Sequence, residues 1–389
     1  MTIKIKSIEA CRVNLTPKQP KTPPRRPSYN KSAKRAFPIN KYPEFPRNLH
    51  NIPGEVGPEL WVKVTAENGV WGIGVCNWAN LVTPLIRDHF APLLVGRDCF
   101  AIEFLNDLMW RSSIRFGATG LSMVARSAID LALWDLKGKL LGVPVYSLIG
   151  GPCRQEIIPY CTSDDLDWTM ELGFTKFKIS NPVHYDEGLD GINRIEEKVA
   201  KARETVGDKA DLMYNPVMSF NVEYAARIME RLKPYRLRWF EEPLMPHDFE
   251  GMAQLKKANP TLPLATGEDL HGRFNFRELV DRRCVDILQP DFRWCGGMSE
   301  ILKIYTIGEA AGIQTIPHSG ASSPFGQHFS IAMPEASIAE FWLHSDPGVP
   351  LEEANKYPGM SVPVNGVVRP TDAPGFGLEF REQDLVPVA

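Results

Sequence analysis

The chain has 389 residues and a formal net charge of −3, from 44 Lys and Arg against 47 Asp and Glu. That length exceeds one ordinary core and suits two domains. Hydrophobic residues at 43% and charged ones at 23% describe a soluble globular protein. No apolar run approaches the ~20 residues of a membrane span, and the charge balance offers nothing to a nucleic acid.

The opening MTIKIKSIEACRV alternates polar and apolar residues, so residues 1–15 read as a strand, and it lacks the apolar region of a signal peptide. Seven cysteines without CxxC pairs suit reduced thiols in a cytoplasm. Pro17 to Pro58 is rich in Pro, Lys and Arg and carries Tyr29, Phe37, Tyr42 and Phe45. A stretch this long without periodicity is a lid, a binding loop or a disordered linker. The aromatics favour an ordered loop, because water is a costly place for them. LWVKVTAENGVWGIGVC places two alternating runs around Asn68-Gly69, a hairpin signal. Leu121 to Leu141 is apolar at helical spacing and is stopped by Gly142 and Pro144, which predicts a helix. Strands followed by helices make an α+β first domain over 1–150.

After Gly150 short apolar strands (TKFKIS, DLMYN, LRWFEEP, PLATGE, VDILQPD, GIQTIPHS, SIAEFW) alternate with helical patterns such as EYAARIMERLKP. This rhythm predicts a parallel sheet covered by helices. Strand after strand ends in a polar group: Lys178, Asn215, Glu241, Glu268, Asp291, His318 and Glu340. A barrel delivers all its strand ends to one face, whereas a doubly wound sheet spreads them along an edge. A barrel of seven or eight strands over 151–359 is therefore expected.

Glu241 and Glu268 with the Asn215 amide oxygen are hard ligands, suited to Mg²⁺ rather than zinc. Each acid alone serves equally well as the cap of the following helix. Clustered in one pocket, unpaired acids repel unless a cation holds them. Lys176 and Lys178 stand two apart and point to the same side of one strand. Facing a metal, such lysines are kept partly neutral and become base candidates; the alternative is a charged strand edge. Asp291 at the preceding strand end suits a bond to one imidazole nitrogen of His318, orienting the ring and raising the basicity of the other nitrogen.

The ordered set FPINKYPEF, SAIDLALWDLKGKLLGVPVYSLIGG, RWFEEPLMPHDFEG, ATGED, DILQPDFRWCGG, IPHSG, AEFW and SVPVNGVVRPTDAPGFGLEF resembles the mandelate racemase subgroup of the enolase superfamily. Within it the chain is most similar to the L-rhamnonate dehydratases. The resemblance implies a TIM-like (β/α) barrel capped by an α+β domain, to which the tail 360–389 returns. It implies Mg²⁺ with Glu241 and Glu268 as its second and third ligands, and Asp291 and His318 as a dyad. Glu340 would be the carboxyl group that hydrogen-bonds the enolate oxygen, and Lys176 and Lys178 the KxK pair. The family pattern has Asp where Asn215 stands and His where Asp269 stands, and the dehydratases lack the second lysine of the pair. These departures imply weaker Mg²⁺ binding and leave the aldonate open between L-rhamnonate and another of the same configuration near the carboxylate.

The implied reaction is removal of the proton beside a carboxylate and loss of the 3-hydroxyl, leaving a 2-keto-3-deoxy acid. His318 would take the proton and return it to the leaving group, Lys178 would serve the opposite face, and a protonated Glu340 would donate to the enediolate. Residues Arg35 to Phe45 would close over the mouth. A racemase, epimerase or cycloisomerase, with Lys178 and His318 exchanging protons from two sides, and a metal-impaired sugar-acid binder are the alternatives. The expected partners are a small acid sugar and further copies of the chain, with no nucleic acid or membrane.

Overall fold

The computed structural model describes residues 2–15, 19–32, 34–42, 44–45, 58–355 and 357–388. Pro17, Pro43 and residues 46–57 of the expected loop lie outside them.

The first unit is an antiparallel sheet of β1 (Ile5–Val13), β2 (Leu60–Ala66) and β3 (Trp71–Cys76), with the tail strand Leu385–Pro387 added beside β1. The β2–β3 turn uses Gly69 at φ +87°, a left-handed conformation that costs glycine little. The helix Leu121–Leu141 packs on this sheet. A Cβ on Gly72 or Gly74 would stand 2.2 Å from the Ala132 carbonyl oxygen or 2.1 Å from that of Ala128. Glycine at both positions of β3 lets the helix backbone lie this close. The helix ends as its sequence predicts, at Gly142 with φ +71°.

The second unit is an eight-stranded sheet of β4 (Pro159–Thr162), β5 (Lys176–Ser180), β6 (Asp211–Asn215), β7 (Phe240–Glu241), β8 (Leu264–Thr266), β9 (Ile287–Leu288), β10 (Gln314–Thr315) and β11 (Ala339–Trp342). Strands β4 to β10 pair in parallel in chain order, and β11 pairs with the free side of β4. Past β10, the Ala321 N–H donates to the Glu340 carbonyl at 2.7 Å, closing the circle. The expected barrel therefore has its full eight strands.

Inside it, Tyr160, Met213, Trp239, Ala265, Ile287, Ile316 and Ile338 form a buried apolar plug. Side chains two residues apart share a face. Two residues beyond the plug, six of these chain segments therefore present Thr162, Asn215, Glu241, Gln289, His318 and Glu340 at the C-terminal mouth. The segment around Tyr29 is pinned to this rim. The Tyr29 N–H donates to Asp165 at 2.7 Å, Asn30 Nδ2 to the Leu343 carbonyl at 2.7 Å, and the Ala36 N–H to the Asn181 carbonyl at 2.8 Å. All seven cysteines are free, and no helix among the described residues is long and apolar enough to cross a membrane.

Candidate active site

A cavity of about 610 Å³ opens at the barrel mouth, lined by Arg35 and Phe37 from the rim segment, Trp78 from the first unit, and Lys178, Glu268, Asp269 and His318 from the barrel. His318 Nδ1 lies 2.6 Å from Asp291 Oδ2, so the expected dyad is assembled. Asp291 is buried, yet Arg293 and His318 hold its carboxyl well below the usual range. His318 Nε2 faces Glu268 at 3.4 Å and Glu340 at 3.6 Å. Burial favours a neutral ring, but Glu268, Glu340 and Asp291 push its pKa up to about 9. Ionised carboxylates around the ring thus favour the imidazolium, and positive charge beside Glu268 would favour the neutral ring.

Lys178 sits among carboxylates. Its Nζ lies against Glu241 Oε1 and 2.7 Å from Glu340 Oε1. Burial lowers a lysine pKa, but these carboxylates raise it well above the ordinary value. These negative surroundings favour the ammonium form. Glu340 accepts from Thr162 Oγ1 at 2.5 Å and from the Ser319 N–H at 2.8 Å. Against the pull of burial, Lys178 and His318 hold its carboxyl down at about 2. Lys178 and His318 thus favour its ionised form, with the Lys178 ammonium beside it as a donor. Lys176 points to the same side of β5, as its spacing predicts, but lies at the start of the strand. There it pairs with Asp211 at 2.5 Å, at the end of the barrel away from the mouth, and leaves the candidate catalytic set.

The three expected metal ligands differ among themselves. Glu241 accepts from Asn215 Nδ2, Trp239 Nε1 and Gln289 Nε2, each at 2.8 Å, as well as from Lys178. Asn215 Oδ1 accepts from the Val217 N–H at 2.7 Å, so the amide turns its nitrogen towards Glu241. In this arrangement the Asn215 oxygen is engaged by the Val217 N–H. Glu268 lines the cavity, and burial and Asp269 push its carboxyl up to about 8 against the opposing pull of His318. Burial also raises Asp269.

Glu242 was not anticipated. It follows β7 at φ +43°, is raised well above the ordinary range by burial and by Glu268 and Asp269, and its Oε2 has no hydrogen-bond partner among the described residues. The adjacent pair Glu241-Glu242 at a strand end was its visible signal.

Among the described residues no three His, Cys, Asp or Glu side chains stand ready as a ligand group. The charge of the site nevertheless fits a divalent cation. Glu241, Glu242, Glu268, Asp269, Asp291 and Glu340 outnumber Lys178, His318 and Arg293. Buried carboxylates in excess are the partners a hard cation takes.

Residues 165–384 match the family described as enolase C-terminal domain-like, and residues 58–150 match the mandelate racemase / muconate lactonizing enzyme N-terminal domain. The chain is 35% identical over 356 residues to L-rhamnonate dehydratase of Saccharopolyspora erythraea, covering 90% of each. The crystal structure of rhamnonate dehydratase from Gibberella zeae complexed with Mg superposes with a TM-score of 0.90 at 30% identity, over 99% of this chain and 97% of that one. A 3,6-anhydro-D-galactonate cycloisomerase from Zobellia galactanivorans gives 0.77 at 25% identity, over 98% and 97%. With both halves of the fold and most of its length matched, the chain belongs to the mandelate racemase and muconate lactonizing enzyme family of the enolase superfamily.

Proposed function

We propose that the protein is a Mg²⁺-dependent hydro-lyase that converts an aldonate of the L-rhamnonate kind to a 2-keto-3-deoxy acid. The observation that carries this reading is the His318–Asp291 pair, whose Nε2 is turned into the cavity beside Glu268. The relatives named L-rhamnonate dehydratase support the substrate class.

Glu241, Glu268 and the Asn215 side-chain oxygen would hold Mg²⁺, with Asp269 as a neighbouring carboxylate. The ion supplies positive charge where the enolate's negative charge develops. His318 Nε2 takes the α-proton, with Asp291 on Nδ1 fixing the ring and stabilising the imidazolium. The Lys178 ammonium, held by Glu340, donates towards the enolate oxygen. His318 then returns its proton to the departing 3-hydroxyl, which leaves as water, and the enol becomes the 2-keto acid.

The rim segment from Arg35 to Phe45 covers the mouth, meets the distal hydroxyls and excludes water. Residues 1–150 with 360–389 act as the capping unit and 151–359 as the catalytic barrel. The free cysteines suit a cytoplasmic setting.

The test is a screen of aldonates with Mg²⁺, reading keto acid with semicarbazide and α-proton exchange in D₂O. Keto acid from L-rhamnonate or an aldonate of like configuration at C2 and C3 is the expected result. Exchange without keto acid would make the protein a racemase. Binding with neither would make it a metal-impaired sugar-acid binder.

A further inference from the structure

We propose that Arg293 is a positioning residue that ties the capping unit to the catalytic dyad, so that the first unit helps to aim His318 Nε2 at the substrate. The inference rests on the dehydratase reading for its kinetics, and on geometry alone for its structure.

The Asp291 carboxylate is gripped on both oxygens. Oδ1 accepts from the Arg293 N–H at 2.6 Å and from Arg293 Nε at 3.3 Å. Oδ2 accepts from Arg293 Nη2 at 3.1 Å and lies 2.6 Å from His318 Nδ1. A guanidinium fork lying along a carboxylate fixes its plane as well as its place. Asp291 is therefore unable to swing away from the imidazole it orients.

Arg293 is itself held from outside the barrel. Its Nη1 lies 3.7 Å from Glu59 Oε1, just before β2, and Glu59 Oε2 accepts from the Tyr357 hydroxyl. The next residue repeats the connection by other means. Trp294 Nε1 donates to Asn77 Oδ1 at 2.9 Å. The Trp294 ring stacks on Trp78 and on His318, at 5.6 Å in each case. Two successive side chains past Asp291 thus reach the ends of β2 and β3. One grips the aspartate, and the other lies against the histidine.

The physical case for a positioning role lies in what each contact leaves if removed. A buried charge deprived of its partner is strongly unfavourable. Without Glu59, Arg293 keeps a single carboxylate and is free to tilt. Without Arg293, Asp291 keeps His318 alone and gains rotational freedom about its side chain. Partners one step behind a reacting group commonly set activity through such orientation.

The experiment compares Arg293→Gln, Arg293→Lys and Glu59→Gln with the wild type, using steady-state kinetics on the aldonate found by the screen. It adds ¹H–¹⁵N spectra of histidine-labelled protein, in which the His318 Nδ1–H signal is assigned by its loss in His318→Asn. Arg293→Gln is expected to lower kcat about 10- to 100-fold with KM changed less than about twofold, the range typical of such orienting partners. It should also shift the Nδ1–H signal or speed its exchange with solvent. Glu59→Gln should move both readouts the same way by less, and Arg293→Lys should restore part of each.

An unchanged Nδ1–H signal in both Arg293→Gln and Glu59→Gln overturns the inference. A loss confined to KM also overturns it, because it would make Arg293 a substrate ligand. If Arg293→Gln does not fold, Arg293→Lys and Glu59→Gln decide by the same readouts. A wild type that produces neither keto acid nor exchange defeats the dehydratase reading, and the spectra still decide the positioning role.

Discussion

Buried charge is treated in opposite ways at the seam between the two units and at the barrel mouth. In the seam, helix Leu121–Leu141 meets the barrel with its charged groups paired, while Arg126 Nε and Asn106 Oδ1 have no hydrogen-bond partner among the described residues. Arg126 pairs with Glu300 at 2.8 Å, with the two side chains 5% and 6% exposed. Asp130 accepts from Ser299 Oγ at 2.5 Å, Asn106 Nδ2 at 2.6 Å and the Ser299 N–H at 3.0 Å. A Cβ on Gly297 would stand 2.3 Å from the Asp130 carboxylate, so glycine lets the helix Gly297–Ala310 bring its N-terminal amide to that acid. In the mouth, carboxylates exceed cations, Glu242 Oε2 is unpartnered, and Glu268 sits at about 8. A cluster whose charges pair with one another holds units together. An unsatisfied one stores an imbalance that a ligand can relieve.

The widest separation of the two regions is expected from His318→Asn. It should lower kcat for keto-acid formation by about 10² to 10⁴-fold, the usual worth of a general acid–base group. The melting temperature should fall only modestly, since the Asn amide can still donate to Asp291 while the pairing of the ring with Glu268 and Glu340 is lost. A large loss of stability would place His318 with the seam instead.

Breaking the seam should do the reverse. Glu300→Ala leaves Arg126 buried without its carboxylate and is expected to cost about 3–5 kcal/mol, read by denaturant unfolding. Protein that remains folded should keep its KM.

Asn215→Asp sharpens the account of the mouth. It replaces the amide nitrogen 2.8 Å from Glu241 Oε1 with a carboxylate oxygen, adding repulsion where negative charge is already in excess. The metal-free protein should melt lower, and the rise in melting temperature on adding Mg²⁺ should grow. If neither melting temperature moves, Asn215 lies outside the field of the metal.

The last contrast concerns His328, a residue away from the mouth. Its Nδ1 accepts from the Tyr146 N–H at 3.1 Å, and burial lowers its pKa to about 3. An unfolded histidine titrates near 6.5, so between these values the unfolded chain binds the extra proton. The stability linked to neutral His328 is fully present above about 6.5 and is lost as pH falls towards 3. Unfolding free energy measured across that window should fall less steeply in His328→Gln than in the wild type.

Much of this was legible in the chain itself. The helix from Leu121 to Leu141 and the hairpin at Asn68-Gly69 follow from local periodicity and from the backbone freedom of glycine. The strand-end positions of Glu268, Asp291 and His318 follow from the βα rhythm, since a barrel carries every strand end to one face. Tertiary structure decided the rest. Lys176 and Lys178 share a side of one strand, yet one meets Asp211 at its start and the other meets Glu241 and Glu340 near the mouth. Asn215 sits where a ligand was expected but turns its amide nitrogen to Glu241, because the Val217 N–H claims its oxygen. The electrostatic surroundings of Lys178, Glu340 and His318 were also out of reach of the sequence, for one physical reason. A proton's free energy is summed over every charge within a few ångströms, and those charges arrive on strands far apart in sequence.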